Sequence, residues 1–283
     1  MTNMTQQQTQ LPPVMELKNV TKRFSGATAL DGINFSIHSG EVHCLLGDNG
    51  AGKSTLIKML CGVHPQSSGE LLVDGEPTEF ATPRDAFVKG IGSVHQGNQG
   101  IPFMTVGRNF VLGREPTKGI PGLRRFGRRF DEHEADRLAM LEVQKMGITG
   151  ISSGSQMVGV LSGGERQALA IARAAYYGAR VLILDEPTSA LGVKEAEIVL
   201  GIIMNARREG IAVVFITHNA HHAMLVGDRF TVLIKGRVAD TFDRGDRTRE
   251  EVLSLMAGGE EFEELASSAE MAWVRRPRGD DRA

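Results

Sequence analysis

The sequence has few cysteines and no hydrophobic run long enough to cross a membrane. Its 283 residues include two cysteines, Cys44 within an apolar run and Cys61 just before a glycine. Two such residues do not make a disulfide framework, and we interpret both as small, reduced core side chains. No segment approaches the roughly 18 consecutive apolar residues that would span a bilayer. Any role at a membrane therefore requires a separate membrane-embedded partner.

An excess of charge of one sign is also missing. The chain carries 32 basic and 34 acidic residues, a formal net charge of -2, so no global field draws it onto nucleic acid or anionic lipid. Residues 1–13 are polar and lack the apolar stretch of a secretory signal, which predicts a cytoplasmic protein. We expect them, and the charged residues 259–283, to form tails around one globular region, 14–258.

The globular region is predicted to be an α/β fold. Hydrophobic residues make up 41% of the sequence, and strand-like and helix-like patterns alternate, which favours a mostly parallel sheet flanked by helices. Residues 42–46, 181–184 and 211–217 are short apolar runs typical of strands buried on both faces. Polar residues follow each run, where ligands bind in open α/β sheets. Residues from about 97 to 178 interrupt this alternation of strand-like and helix-like patterns and are predicted to form a helical subdomain.

A complete phosphate-binding motif follows the first of these runs. Residues 47–54 match G-x-x-x-x-G-K-[ST] between a predicted strand and a predicted helix, 54–60, that should stop at Gly62. Backbone N–H groups of such a loop surround phosphate oxygens, while Lys53 neutralises the β- and γ-phosphates and Ser54 ligates Mg²⁺. A glycine-rich turn with a surface lysine is disfavoured because the motif is complete. The predicted phosphate-binding residues are Gly47, Asp48, Asn49, Gly50, Ala51, Gly52, Lys53, Ser54 and Thr55.

Two adjacent acids end the second apolar run. Asp185 stands where a strand-end carboxylate reaches Mg²⁺. Glu186, pointing the other way, is the candidate general base for an attacking water. A solvated acidic pair would be the commoner interpretation of these residues alone, but the phosphate-binding loop favours a catalytic role.

A glycine pair opens a later helix. Residues 161–167 read L-S-G-G-E-R-Q, and Ser162 with Glu165 satisfies the capping-box pattern for a helix running towards Tyr177. Gly163 and Gly164 leave N–H groups with little steric cover, which also predicts an anion site. Capping and phosphate binding can share these residues.

Together these motifs resemble the ABC ATPase family, and the resemblance extends from about residue 15 to 258. The family signature is similar to 161–165, with Glu165 in the fifth place. The resemblance also identifies Gln96 as the Q-loop glutamine, His218 as the switch histidine and Phe24 as the aromatic residue that stacks on adenine.

The resemblance implies a P-loop NTPase fold with a RecA-like parallel sheet core, an N-terminal antiparallel β subdomain and a helical subdomain carrying the signature. It implies ATP and Mg²⁺ as ligands and a homodimer in which Ser162, Gly163 and Gly164 serve the partner's ATP. Gln96 would sense Mg²⁺ and the nucleophilic water. His218 would hold the γ-phosphate and organise Glu186.

Three further features modify this interpretation. The family commonly has S-A-L-D where residues 189–192 read S-A-L-G, so Gly192 removes a carboxylate that helps two sites communicate. The helical spacing of His218, His221 and His222 could indicate a metal cluster, but no cysteine or further acid is arranged around them. We therefore expect His221 and His222 to lie on an ordinary helix surface. A basic and aromatic patch, predicted to be a solvated face or a contact with lipid or a membrane partner, comprises Arg124, Arg125, Phe126, Arg128, Arg129 and Phe130.

Within the family, residues 109–116, 189–192 and 227–233 resemble ATP-binding subunits of bacterial monosaccharide importers of the ribose/fructose type. This implies permease subunits as partners, a periplasmic sugar-binding protein as an indirect partner, no nucleic acid, and a place on the cytoplasmic face of the inner membrane. The alternatives are a soluble ABC ATPase acting on nucleic acid or ribosomes, an ABC subunit for a non-sugar substrate, and a P-loop kinase. The kinase gives no reason for 162–165 beyond helix capping.

Overall fold

The main sheet of the fold has six strands. The computed structural model describes residues 12–95, 97, 100–119 and 128–258. Five strands of the main sheet run parallel and β12 pairs antiparallel at one edge, in the order β12-β11-β3-β10-β9-β6. The strands are β3 (Val42–Leu46), β6 (Ile91–Val94), β9 (Val181–Asp185), β10 (Ala212–Ile216), β11 (Arg229–Ile234) and β12 (Arg237–Asp243). The predicted α/β fold with a mostly parallel sheet is confirmed.

A second sheet is entirely antiparallel, as predicted for the N-terminal β subdomain. Its order is β2-β1-β4-β5. Its side chains share a core with one face of the main sheet, where Leu45, Ile183 and Val214 point towards it. The strands are β1 (Met15–Phe24), β2 (Ala27–Ile37), β4 (Ser68–Val73) and β5 (Glu76–Pro77).

The helices after residue 100 cover the other face of the main sheet, where alternate strand residues such as Cys44, Leu184 and Phe215 join a second core. The first two helices pack instead in the core shared with the antiparallel sheet. The helices are α1 (Lys53–Leu60), α2 (Pro83–Val88), α3 (Val106–Phe110), α4 (Glu132–Lys145), α5 (Gly163–Tyr176), α6 (Val193–Arg208), α7 (Ala220–Val226) and α8 (Arg249–Met256), with a 3-10 turn at Val158–Val160. Strands β7 (Thr117–Gly119) and β8 (Arg128–Phe130) form a small separate hairpin.

The predicted element bounds differ from the observed ones by a residue. Helix α1 begins at Lys53 and ends, as expected, with Gly62 in the left-handed region at φ 71°. Strand β9 extends to Asp185, and β10 is shorter than 211–217 because the N–H of Ile211 closes the end of α6 on the carbonyl of Ala206. Both cysteines are buried and free. No helix of the described residues is long and apolar enough to cross a membrane.

Three helices, α3, α4 and α5, fall within the predicted helical subdomain. Helix α4 contacts both α3 and α5, while α5 also packs against α6 and β6 of the main body. Helix α5 therefore contacts both the other helices of the predicted subdomain and the main body. The boundary of the helical subdomain near residue 178 stays a prediction.

The first turns of α5 and α6 approach so closely that only glycine fits at position 164. A Cβ there would lie 2.9 Å from both the backbone oxygen and the Cβ of Glu195. We expect Gly164→Ala to force the two helices apart and to lower the free energy of unfolding by about 2 kcal/mol.

Gly201, in the middle of α6, is the matched control, since a Cβ there would meet no atom within 4 Å. Gly201→Ala should raise stability by up to about 1 kcal/mol through helix propensity. Urea unfolding of both variants measures the difference, and equal effects would show that the α5–α6 approach is not tight.

Candidate active site

The glycine-rich loop joins β3 to α1 at the carboxyl end of the main sheet. Gly47, Gly50 and Gly52 have φ values of 146°, 83° and 106°, which favour glycine. A Cβ at Gly47 would collide with the backbone oxygen of Leu233, and one at Gly52 would lie 2.8 Å from Leu30 Cδ2. The loop conformation therefore depends on glycine for both its turns and its packing.

Lys53 lies at the centre of this loop. Its Nζ donates to the backbone oxygens of Gly47 at 2.7 Å and Asp48 at 3.1 Å. Burial lowers the pKa of Lys53, and the nearby carboxylates of Glu186, Asp48 and Asp185 oppose that shift. The loop is thus closed on its own ammonium group, which stands beside the two adjacent acids.

Asp185 ends β9 and is half-buried. Burial raises the pKa of Asp185, the charge of Glu186 adds to the shift, and His95 opposes it. His95 Nδ1 lies 3.9 Å from Asp185 Oδ2, and its Nε2 lies 3.2 Å from Ser93 Oγ. Sequence reasoning missed His95, although its position just after β6 at the carboxyl edge of the sheet is a signal that could have found it.

Glu186 is held by residues that follow β10. Its Oε1 accepts from the backbone N–H of His218 at 3.0 Å and lies 2.9 Å from His218 Nδ1. Its Oε2 accepts from Thr217 Oγ1 at 3.2 Å. The structure therefore brings Glu186 and His218 together as expected. It also adds Thr217, which the sequence analysis treated only as the end of a strand.

The backbone of Glu186 is strained. Its φ of 49° lies in the left-handed region, which is rare for a non-glycine residue. The N–H of Glu186 donates to the oxygen of Ile216 at 3.0 Å, and its carbonyl accepts from Ser189 at 3.0 Å. Such strain persists where surrounding contacts over-determine the conformation, and it clusters at functional sites.

The capping box at the start of α5 is confirmed. Ser162 Oγ accepts from the N–H of Glu165 at 3.2 Å, and Glu165 Oε2 accepts from the N–H of Ser162 at 2.8 Å. No hydrogen bond between described residues links 162–164 to the loop 47–55.

Phe24 stands at the end of β1 with 39% of its surface exposed. The His64 ring packs edge-on at 5.3 Å between centroids, and Lys22 Nζ lies 4.9 Å from the Phe24 centroid. An aromatic ring held in this way can stack on a flat ligand.

Part of the predicted site and part of the basic and aromatic patch lie outside the residues that the structure describes. Gln96, Arg124, Arg125 and Phe126 lie outside the described residues. In the described part of the patch, Arg128, Arg129 and Phe130 form β8, and the Phe130 ring lies under Arg108.

The three histidines after β10 do not come together as a metal site. Among the described residues no group of three or more His, Cys, Asp or Glu is placed to hold a metal ion. His222 was expected on an ordinary helix surface. Instead it is partly buried, and its Nδ1 lies 3.0 Å from Thr188 Oγ1, just after the two acids.

These features define a class. A glycine-rich loop closed on a lysine between a parallel strand and a helix, with two acids ending a strand of the same sheet, is the arrangement of a P-loop nucleoside triphosphatase. The family model described as ABC transporter matches residues 30–189. The chain belongs to the ABC transporter family, and within it to the ATP-hydrolysing, ATP-binding proteins.

Two relatives are similar to this chain over most of its length. The chain is 38% identical over 250 residues to the fructose import ATP-binding protein FrcA of Rhizobium meliloti, covering 88% of this chain and 95% of that protein. It is 40% identical over 246 residues to the ribose import ATP-binding protein RbsA 1 of Rubrobacter xylanophilus, covering 87% of this chain but 47% of that protein. The chain thus spans nearly all of the first relative and about half of the second.

A solved structure is similar over most of the fold. It is a dimeric, post-hydrolysis state of an ATP-binding cassette bound to ADP and Pi, 28% identical to this chain with a TM-score of 0.65. The similarity covers 82% of this chain and 100% of that one.

The raised pKa of Asp185 predicts a stability cost at neutral pH. Because the folded state binds the proton more tightly than the unfolded chain does, stability falls as pH rises above the unfolded pKa of 3.8. Without nucleotide and divalent cation, Asp185→Asn should raise the unfolding free energy at pH 7.5. The gain is at most about 1 kcal/mol, since solvent screens a half-buried group.

The gain from Asp185→Asn should shrink as pH falls through the folded pKa and disappear below 3.8, where the carboxyl is protonated in both states. Urea unfolding as a function of pH measures it. Asp48→Asn is the control in the exposed part of the loop, where the oxygen that accepts from Asn49 is retained. A destabilised Asp185→Asn chain at pH 7.5 would contradict the burial argument.

Proposed function

We propose that this chain is the ATP-binding subunit of an importer, and that it hydrolyses ATP to power uptake of a fructose- or ribose-like monosaccharide through permease subunits. The observation that carries the proposal is the match to the fructose import protein over nearly the full length of both chains. The subunit would sit on the cytoplasmic face of a bacterial inner membrane. A periplasmic sugar-binding protein would reach it only through the permease.

The residues of the site fit Mg²⁺. Ser54 is exposed at the start of α1, and Asp185 offers a half-buried carboxylate whose raised pKa reflects a charge without full compensation. Hydroxyl and carboxylate oxygens are the donors that Mg²⁺ prefers. We assign Ser54 and Asp185 as its protein ligands, with Gln96 as a third. When bound, the ion would neutralise charge on the β- and γ-phosphates.

The residues around the γ-phosphate would divide the work. Lys53 would exchange its bonds to the Gly47 and Asp48 oxygens for the β- and γ-phosphates, whose remaining oxygens accept from backbone N–H groups of residues 47–55. Glu186 would take the proton of the attacking water, oriented by Thr217 and His218. His218 would also contact the γ-phosphate. Phe24 would stack on adenine.

Each ATP site would be composite: it would combine the loop 47–55 of one subunit with the start of α5 of another. The start of α5 makes no hydrogen bond to the loop of its own chain among the described residues, which leaves Ser162, Gly163 and Gly164 to serve the ATP of a second copy. The similar cassette solved as a dimer supports this arrangement. ATP would favour the closed dimer by binding both subunits, and hydrolysis would let it open.

The role of Glu186 is tested by Glu186→Gln. Turnover should fall roughly 10²-fold or more because the proton acceptor is lost, while ATP binding persists. A stable ATP-bound dimer should then accumulate. Steady-state phosphate release and size-exclusion chromatography with ATP measure the two effects. Glu197→Gln, on the exposed face of α6, is the control and should change neither measurement. An unchanged hydrolysis rate in Glu186→Gln would contradict the assignment of Glu186 as the general base.

An apolar surface next to the site supports a permease partner. A cavity of 740 Å³ opens between α2, β6 and α5, and its lining includes Phe87, Ile101 and Tyr177. Phe103, two residues after Ile101, is 92% exposed, and Val88, next to Phe87, is 77% exposed. Hydrogen bonds join the loop of Phe103 to the Val158–Val160 turn, where Val160 is also exposed. Exposed apolar side chains in one place mark an interaction surface.

Phe103→Ser tests this surface. The isolated variant should keep its stability and ATP hydrolysis, because an exposed side chain contributes little to the core. Co-purification with the permease and sugar-stimulated hydrolysis should be lost. Leu225→Ser is the control: Leu225 is also exposed, but its helix α7 contributes no residue to the cavity lining, whereas the loop of Phe103 contributes Gly100 and Ile101. Normal assembly of Phe103→Ser would place the permease elsewhere.

A further inference from the structure

A carboxylate from α6 lies on the N-terminus of α5. Glu195 is in the first turn of α6, and its Oε1 accepts from the backbone N–H of Gly163 at 3.0 Å. Its Oε2 accepts from the N–H of Gly192 at 3.2 Å. One carboxylate therefore bridges the start of α5, which carries the signature, and the start of α6.

The carboxylate is held in its ionised form. The backbone N–H of Gly192 first, and then those of Gly164 and Gly163 with the side chain of Ser162, lower the pKa of Glu195. These donors include Ser162, Gly163 and Gly164, the residues proposed to bind the partner's nucleotide. An anion of the same chain already lies against them.

The other donors at this helix end are also used within the subunit. Ser162 N–H donates to Glu165 Oε2, and Glu165 N–H donates to Ser162 Oγ. A helix N-terminus attracts an anion through N–H groups that lack intrahelical partners. In the free subunit the N–H groups of the start of α5 are therefore shared among Glu165, Ser162 and Glu195.

We infer that Glu195 is a positioning residue. In the free subunit it holds the backbone N–H groups of Gly163 and Gly164, and the γ-phosphate of the partner's ATP displaces it. The inference rests on the proposed composite site. Two anions cannot share the N–H of Gly163, so the carboxylate must turn away when the dimer closes. Glu195 opposes closure by its charge and raises the subunit concentration that closure requires.

The displacement has a second consequence at Gly192. The segment 189–192 follows the two acids, and Gly192 has no side chain to anchor it. Glu195 Oε2 holds its N–H instead. When phosphate displaces the carboxylate from Gly163, the hydrogen bond from Gly192 N–H to Glu195 changes too. Arrival of the partner's ATP is thereby linked to the segment 189–192, which follows Glu186 in the chain.

The first experiment measures closure in a chain that does not hydrolyse ATP. Glu195→Gln is compared with its parent in the Glu186→Gln background, by sedimentation at saturating ATP over a range of subunit concentrations. The uncharged variant should reach half-dimerisation at about tenfold lower subunit concentration. Affinity of the monomer for a fluorescent ATP analogue should not change, since Glu195 acts on the other subunit's nucleotide. Glu197→Gln removes the same charge from the exposed face of α6 and should behave as the parent.

A second measurement follows the donors directly. Amide chemical shifts of Gly163 and Gly164 in the free subunit should differ between Glu195→Gln and its parent, because the acceptor of Gly163 N–H changes. In the ATP-bound dimers the difference should vanish, because phosphate is then the acceptor in both. A purely structural role for Glu195 would leave the difference in place in the dimer.

The outcomes separate the inference from the proposed function. If the parent dimerises with ATP but Glu195→Gln needs an equal or higher subunit concentration, Glu195 does not oppose closure and the inference fails alone. A shift difference that persists in the dimer also overturns it. If the Glu186→Gln parent never dimerises with ATP, the composite site fails, and the inference fails with it.

Discussion

The backbone N–H groups at the start of a helix have no partner within that helix, and the way two such helix starts are satisfied organises this molecule. Helix α1 has Gly52 as its N-cap residue, with no side-chain cap and no acid in its first turn. Helix α5 begins with a full capping box and a carboxylate from α6. One terminus is open to an anion and the other is filled. On the proposed function, a subunit of this design would take nucleotide on α1 first and would offer α5 only to an anion that can displace Glu195.

A short strained segment begins at the second of the two acids and leads to α6. Glu186 at φ 49° and Ala190 at φ 60° both have left-handed backbone, which costs a non-glycine residue of order 1 kcal/mol or more. The turn at Glu186 aims its carboxylate at Thr217 and His218, while the turn at Ala190 leads the chain to Gly192 and the start of α6. The same few residues thus connect the proposed general base to the residue that holds the signature.

The sequence predicted what depends on local pattern. Short apolar runs bounded by polar residues identified the central strands, and the glycine motif and the S-x-x-E pattern identified the loop and the capping box, because each is complete within a few residues. It could not predict contacts that depend on packing. Glu195 reaches Gly163 only because α5 and α6 cross closely at Gly164, and no periodicity encodes that crossing. Thr217 and His95 were missed because a single polar residue at a strand end has no distinctive spacing.

The absence of a carboxylate at Gly192 therefore has a different meaning from the one its sequence position suggests. An aspartate at the helix N-cap would hold the turn by accepting from backbone N–H groups of the first turn. Here the carboxylate comes from Glu195, three residues later, and reaches back to the N–H of Gly192. The other oxygen of the Glu195 carboxylate accepts from the N–H of Gly163. Moving the carboxylate preserves the local turn and adds a tie to the signature helix of the same subunit. In the proposed dimer, the phosphate of the partner's ATP would have to break this hydrogen bond.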